Sequence, residues 1–248
     1  MESQKPKIAM YVKRPFGEKL NASFDFLKEN WKLLLKFTTY LLLPLCLIQA
    51  LSLNGLMSGA LSISAIASST AMAASSSSLI AFGSYYGLYM FLYLIGIILL
   101  TSLVYGLIRT YNEREERLQG VTLGMLKPRL FRNIKRLLLM TGACILLVLF
   151  VGIFVGLLVA LTPFTLFLTI PFIIAFSVPL ALLAPIYLFE DITLMEAFKK
   201  TFRLGFATWG GVFLILIVMG IIASVLQGIV SIPWYVIYIV KMVFTMSD

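Results

Sequence analysis

Ionisable side chains are absent from residues 37–108, 137–189 and 204–240 and crowd into the segments between them. Nineteen of the 20 Lys and Arg residues fall in 1–36, 109–136 and 190–203; the remaining one is Lys241. A bilayer core about 30 Å thick takes about 20 apolar residues per helix, and each charge-free stretch holds one or two such lengths. Open strand edges are excluded in lipid, and runs such as 145–161 lack the alternation of an outer-membrane barrel. The pattern predicts an all-α, polytopic membrane helix bundle. Spans are expected near 33–53, 86–108, 138–161, 164–188 and 209–231, with a weaker sixth candidate at 232–246. Leu161-Thr162-Pro163 reads as a tight turn, and 55–85 as an uncharged connection rich in Ser, Ala and Gly.

The basic islands must share one side of the membrane, and the positive-inside rule makes that side the cytoplasm. The expected location is a cell membrane, with a bacterial cytoplasmic membrane the natural setting. The N-terminus is then cytoplasmic and 55–85 faces outward. Trp31 and Trp209 begin their spans at the inner boundary. Tyr85, Tyr86 and Tyr89, and then Trp234, Tyr235 and Tyr238, fall at the outer one. Amphipathic rings prefer headgroup depth. Stacking on a substrate is the alternative role for them.

Each basic island also carries an apolar stripe at helical spacing. Phe16, Leu20, Phe24, Leu27 and Trp31 fall within about 80° of arc at 100° per residue. Leu126, Leu130, Ile134 and Leu137 form one face of the second island, opposite Arg129, Arg132, Lys135 and Arg136. Leu194, Phe198, Phe202 and Trp209 form the third. Such faces lie in the inner headgroup layer or pack under the bundle, and basic residues beside them favour an anionic leaflet. Thr193 and Glu196 have capping-box spacing, and Pro15 suits a first helical turn.

The islands align with one another. A shift of 178 places Glu18 on Glu196, Phe24 on Phe202 and Trp31 on Trp209. A shift of 71 places Val121-Thr122-Leu123 on Ile192-Thr193-Leu194, and Phe131 on Phe202. The implied shift of 107 places Phe16 on Leu123. The reading is a single integral membrane domain, 1–248, with a cytoplasmic segment 1–14 and repeat units of about 15–120, 121–191 and 192–248. Each unit would hold a cytoplasmic amphipathic helix and a two-span hairpin. The third hairpin is incomplete: from Pro233 to Met246 a helix measures about 21 Å, too short to cross alone. That segment would be a short or re-entrant helix, or a return span cut short.

Small residues form ladders at Gly152, Gly156 and Ala160 and at Gly220, Ser224 and Gly228, spacing that lets helices approach closely within a chain or between copies. Pro44, Pro171, Pro179 and Pro185 should kink their spans, which would shape a cavity or simply be tolerated in packing.

Composition adds to this picture mainly by exclusion. The chain is 60% hydrophobic and 12% charged, with mean hydropathy +0.99, whereas soluble domains carry about 25% charged residues. A net charge of +9 could attract nucleic acid, but the basic residues flank spans and no base-reading module is recognisable. Cys46 and Cys144 fall inside spans with no metal-ligand neighbour. No cleavable signal peptide is evident, and Ala71-Met72-Ala73, which looks like a cleavage site, lies beyond the first span. There is no His, no P-loop, no dinucleotide fingerprint and no zinc pattern. Neither a cofactor, a metal site nor a catalytic residue is expected. Gln49, Thr101 and Gln227 are the candidates for a polar cavity, or else they hydrogen-bond neighbouring helices. Glu113, Glu115 and Glu116 and the pair Glu190-Asp191 could bind a cation or serve as acid and base, but interleaved Arg114 and Arg117 favour a solvated helix end.

The run Phe16-Gly17-Glu18-Lys19-Leu20 through Asn30-Trp31, with Leu194-Met195-Glu196-Ala197-Phe198 through Thr208-Trp209, resembles the multi-pass membrane domain family associated with glycerophosphodiester phosphodiesterases and related stand-alone bacterial membrane proteins. The resemblance implies a cytoplasmic-membrane domain and carries no site residues. The phosphodiesterase domain has no counterpart here, so its activity is not implied.

The sequence thus points to a non-enzymatic scaffold, assembly subunit or membrane-homeostasis factor. Its partners would be the bilayer, anionic headgroups of the cytoplasmic leaflet, or another membrane protein. The expected interface residues are Phe16, Leu20, Phe24, Trp31, Phe131, Phe198, Phe202 and Trp209. A permease for a lipid-like or uncharged solute is the alternative, and an intramembrane enzyme a third.

Overall fold

The computed structural model describes the backbone of residues 6–68, 76–162 and 164–247, and the side chains of these except 60–68, 76–78, 241–242 and 244–247. The helices are α1 (Phe16–Ser68), α2 (Ser76–Glu113), α3 (Leu123–Leu161), α4 (Thr165–Leu180), α5 (Leu183–Glu190), α6 (Leu194–Ala207) and α7 (Trp209–Ser247), and no strand occurs among the described residues. Five segments are long and apolar enough to cross a membrane: Phe16–Gly59, Leu79–Glu113, Leu123–Leu161, Thr165–Glu190 and Trp209–Val240. They match the five spans read from the sequence, the fourth starting one residue later than expected.

α1 has 53 residues, about 80 Å of helix at 1.5 Å per residue. It carries the first basic island and the first span without a break, and Pro44 sits within it. α3 joins the second island to its span in the same way. The first residues of α1, α3 and α6 are Phe16, Leu123 and Leu194, the positions superposed by the shifts of 107 and 71. The third island departs from this continuity. α6 starts on a capping box, with the Glu196 N–H donating to Thr193 Oγ1 at 3.4 Å and the Thr193 N–H to Glu196 Oε2 at 3.0 Å. It ends at Ala207 with Thr208 as its C-cap, and α7 begins at Trp209.

Two expectations need correction. The connection expected over 55–85 is helical on both sides of 69–75, because glycines let α1 and α2 close on each other. A Cβ on Gly55 would lie 2.6 Å from the Tyr85 ring, and one on Gly59 would lie 3.4 Å from Phe82. Ala71-Met72-Ala73 and Pro163 lie outside the described residues. The second correction concerns 232–246. This segment is neither re-entrant nor a separate sixth helix, since α7 runs through Pro233 to Ser247 as one helix of 39 residues.

The kink expected in the fourth span is a full break. α4 ends at Leu180, and Leu182 N–H donates to Pro179 O at 2.9 Å, tightening the turn before α5. Pro179 has no N–H to offer the carbonyl four residues back, Ala175. The indole Nε1 of Trp209 donates to that carbonyl at 3.0 Å instead. A freed carbonyl in an apolar surrounding costs several kcal/mol unless a neighbour satisfies it, so this bond ties α7 to α4.

The chain divides into two compact units, one of Met1–Phe154 and Tyr187–Asp191, the other of Val155–Ile186 and Ile192–Asp248, a division that does not follow the expected repeat boundaries. In the first unit, Phe37, Leu103, Leu107, Tyr111, Leu118, Val121, Leu126 and Leu130 form a core. A smaller cluster of Ile98, Leu137 and Leu188 accompanies it. Both draw on the charged ends of α2 and α3. Two buried polar groups join these helices: Ser102 Oγ donates to Leu130 O at 3.0 Å, and Asn133 Nδ2 to Ser102 O at 3.3 Å. In the second unit α6 buries Ala197, Thr201 and Gly205, and its Phe202 and Phe206 rings meet Phe176 of α4.

Candidate functional site: an arginine–carboxylate node at the charged ends of the helices

Three ends of two charge-free runs, 37–108 and 137–189, meet in the first unit. Arg109 follows the last residue of 37–108, Arg136 precedes the first of 137–189, and Glu190-Asp191 follow its last. The last turn of α5 is anchored by buried Tyr187 and Leu188, with the Phe189 ring edge-on to Tyr105 at 5.4 Å. Asp191, the next residue but one, takes a left-handed backbone conformation with φ of 53°. Asp tolerates that region better than most residues. On α3, Arg129, Arg132 and Arg136 stand three and four residues apart and so share one stripe.

The Asp191 carboxylate accepts from Arg109 Nη2 at 3.1 Å and from Arg136 Nη1 at 3.1 Å, and Arg132 Nη2 stands 3.6 Å away. Glu113 bridges Arg109, whose Nε donates at 3.0 Å, and Arg129 Nη2. Arg136 is further held by the Tyr187 carbonyl at 2.6 Å and stacks over the Tyr187 ring at 4.1 Å from its centroid. Burial alone would push the Asp191 carboxyl up. The hydrogen bond from Arg109 and the charges of Arg109, Arg132 and Arg136 outweigh it and hold the group below the ordinary carboxylate value. A cavity of about 250 Å³ opens beside the node, lined by Arg109, Glu113, Pro128, Arg129 and Arg132.

A second joint ties the N-terminal segment and α1 to α2. Arg117 Nη1 pairs with Glu29 Oε1 at 2.7 Å. The Tyr111 hydroxyl donates to Glu29 Oε2 at 3.2 Å and accepts from the Ile8 N–H at 3.3 Å. Lys7 Nζ donates to the carbonyls of Asn112 and Arg114 at 2.7 and 3.1 Å, placing a cation where the helix dipole of α2 is negative. A cavity of about 510 Å³ lies between this segment, α1 and α2, and another of about 390 Å³ beside Glu29 and Arg117.

The expected interface residues divide by exposure. Phe24, Trp31 and Phe131 are exposed, while Phe16, Leu20, Phe198, Phe202 and Trp209 are half-buried. On α1 the exposed stripe of Phe24, Leu27 and Trp31 lies apart from Phe26, Leu33, Leu34 and Phe37, which pack on the core. On α3 the stripe of Leu126, Leu130, Ile134 and Leu137 turns into the core rather than outward. The small-residue ladders do not give close approach within their own units: Gly152, Gly156, Gly220 and Gly228 each have open space where a Cβ would stand. Close approach occurs instead at Gly205, where a Cβ would lie 2.5 Å from Pro179 Cβ. The expected polar residues are not gathered by these cavities either. Gln49 and Thr101 are half-buried in the first unit, Gln227 is exposed in the second, and none of the three lines a cavity described above.

Sequence reasoning treated Arg129, Arg132 and Arg136 as the basic face of an amphipathic helix suited to an anionic leaflet, and Glu113 and Asp191 as loop acids. The spacing of the arginines was visible. No local signal joins Asp191 to Arg109, 82 residues earlier. Among the described residues no group of three or more His, Cys, Asp or Glu stands together to hold a metal ion. Comparison with family models, with curated proteins and with solved structures finds no match.

Proposed function

We propose that the chain is a non-enzymatic, multi-pass protein of the cell membrane that acts as a scaffold, assembly subunit or membrane-homeostasis factor. The N-terminus and the three basic islands lie on the cytoplasmic side, and amphipathic helices there engage the inner leaflet or a partner. The observation that carries this reading is the exposed apolar stripe of Phe24, Leu27 and Trp31 on α1. It stands at the same end of the first unit as the arginine node. A stripe of that kind beside basic residues suits a headgroup layer or an apolar partner surface. The acids near it, Glu29, Glu113 and Asp191, are each held by arginine, which fits a structural role for them. The shared register of the three helix starts supports triplication of one unit. The resemblance to the glycerophosphodiester phosphodiesterase-associated membrane domains accords with this architecture.

A second reading, a permease for a lipid-like or uncharged solute, draws on the break between α4 and α5. Interrupted helices line solute sites in transporters.

Affinity purification of the full chain in mild detergent, with proteins and lipids both identified, tests the first reading. It predicts a stoichiometric membrane-protein partner or an enriched anionic lipid, diminished several-fold by the double substitution Phe24→Glu with Trp31→Glu. Recovery of the chain alone, with lipid in bulk proportions, would count against it. Solute uptake by proteoliposomes would then favour the second.

A further inference from the structure

We propose that the cavity beside Arg129 and Arg132 binds the phosphate group of an anionic membrane lipid. The inference deepens the inner-leaflet reading above and rests on it for the depth of the site.

Charge comes first. Four guanidiniums, those of Arg109, Arg129, Arg132 and Arg136, surround two carboxylates, Glu113 and Asp191. Among these six side chains two positive charges are in excess. A phosphodiester offsets one of them and a phosphomonoester up to two. The arginines also differ in how far they are committed. Arg136 is locked by a carboxylate, a carbonyl and a ring, and Arg109 by two carboxylates and the Leu188 carbonyl. Arg132 reaches Asp191 only at 3.6 Å, beyond hydrogen-bonding range, and its side chain is 48% exposed where it lines the cavity. A planar fork of donors of this kind matches phosphate oxygens two at a time, which an ammonium does not.

Depth selects the lipid over a soluble phosphate. The node stands where the charge-free runs 37–108 and 137–189 give way to ionisable residues. In a bilayer that boundary is the level of the headgroup phosphates. The arginines that line the cavity thus meet lipid phosphate at the end of the hydrocarbon layer, and the carboxylates keep them apart and aimed when it is empty.

The test uses the full chain in neutral detergent micelles and counts bound lipid by native mass spectrometry. Phosphatidylglycerol, phosphatidylcholine and inorganic phosphate are titrated separately and then in competition. Phosphatidylglycerol should bind at a concentration about tenfold lower than phosphatidylcholine. Arg132→Gln should erase about that factor, as expected for losing one charge-assisted, bidentate contact. Arg132→Lys should retain part of it, and Lys28→Gln, which is not among the residues lining the cavity, all of it. Arg132→Gln should also leave the thermal midpoint almost unchanged, since its one ion pair is long. If it does not, Arg132→Lys decides the matter. Equal binding of the two lipids, or a full preference in both Arg132 variants, would overturn the proposal. Displacement of bound lipid by millimolar inorganic phosphate would reassign the cavity to a soluble ligand and overturn the lipid assignment. Micelles expose both ends of the helices, so failure here leaves the partner purification untouched, and failure of that purification leaves this binding measurement standing.

Discussion

Gly205→Ala is expected to destabilise the protein by about 2–3 kcal/mol, against the direction of helix propensity. Alanine favours a helix interior over glycine by about 1 kcal/mol, so the same change on an uncrowded helix face should stabilise. At Gly205 the added methyl would stand 2.5 Å from Pro179 Cβ and 2.6 Å from Pro179 Cα. The second of these is backbone, and it moves only if α4 moves. α6 must then retreat from α4 at the level where the α4–α7 tie from Trp209 Nε1 to the Ala175 carbonyl also lies. Losing that bond would leave a carbonyl without a donor in apolar surroundings. Gly211, with open space around it, is the control: Gly211→Ala should be neutral or stabilising by up to about 1 kcal/mol. Thermal midpoints in detergent, read by circular dichroism, compare the two. A midpoint for Gly205→Ala at or above the parent value would show that α4 and α6 do not pack as described.

Arg109→Ala should have the next largest effect, about 2 kcal/mol at neutral pH, including a discount for solvent screening of partly exposed pairs. Arg109 holds Glu113 at 3.0 Å and Asp191 at 3.1 Å. Its loss leaves Asp191 with Arg136 and the more distant Arg132, and Glu113 with Arg129 alone. The pH dependence follows from Asp191, whose native pKa is depressed. A depressed carboxyl contributes stability that is present above its unfolded value, about 3.9, and is lost as pH falls through the lower native value. The parent protein should therefore lose stability in acid below about pH 4, and the gap between parent and Arg109→Ala should narrow there. Melting curves at neutral and acidic pH measure both. A gap that stays constant across that range would mean that the attraction of Arg109 for Asp191 contributes little.

How far the sequence was legible follows from which interactions are local in the chain. The spans were readable because a bilayer excludes charge over about 20 residues at a time, and 37–108, 137–189 and 204–240 carry none. The capping box at Thr193 and Glu196 was readable because it closes within one turn. The break between α4 and α5 was half readable. Pro179 and Pro185 announce a disturbance, but the donor that satisfies the Ala175 carbonyl comes from Trp209, 34 residues away. The glycine ladders left their partner open for a related reason. Four-residue spacing marks a face that permits close approach without naming what approaches, and the tight contacts within the chain fall on Gly55, Gly96 and Gly205. The run over 232–246 was read as separate because the repeat register makes it an incomplete return span, yet α7 continues through it. The arginine node was the least visible feature. Its partners come from α2, α3 and the end of α5, and hydropathy registers charges only as boundaries of apolar runs.

Orientation is the claim on which the functional account stands, and accessibility of single cysteines tests it most directly. With Cys46 and Cys144 replaced by alanine, one cysteine is placed at Glu115, Thr162 or Lys199 and exposed to a membrane-impermeant maleimide on intact cells. Glu115→Cys and Lys199→Cys should label only after permeabilisation, and Thr162→Cys should label from outside. Labelling of Thr162→Cys and Glu115→Cys from the same side would contradict the account, because α3 would then not cross.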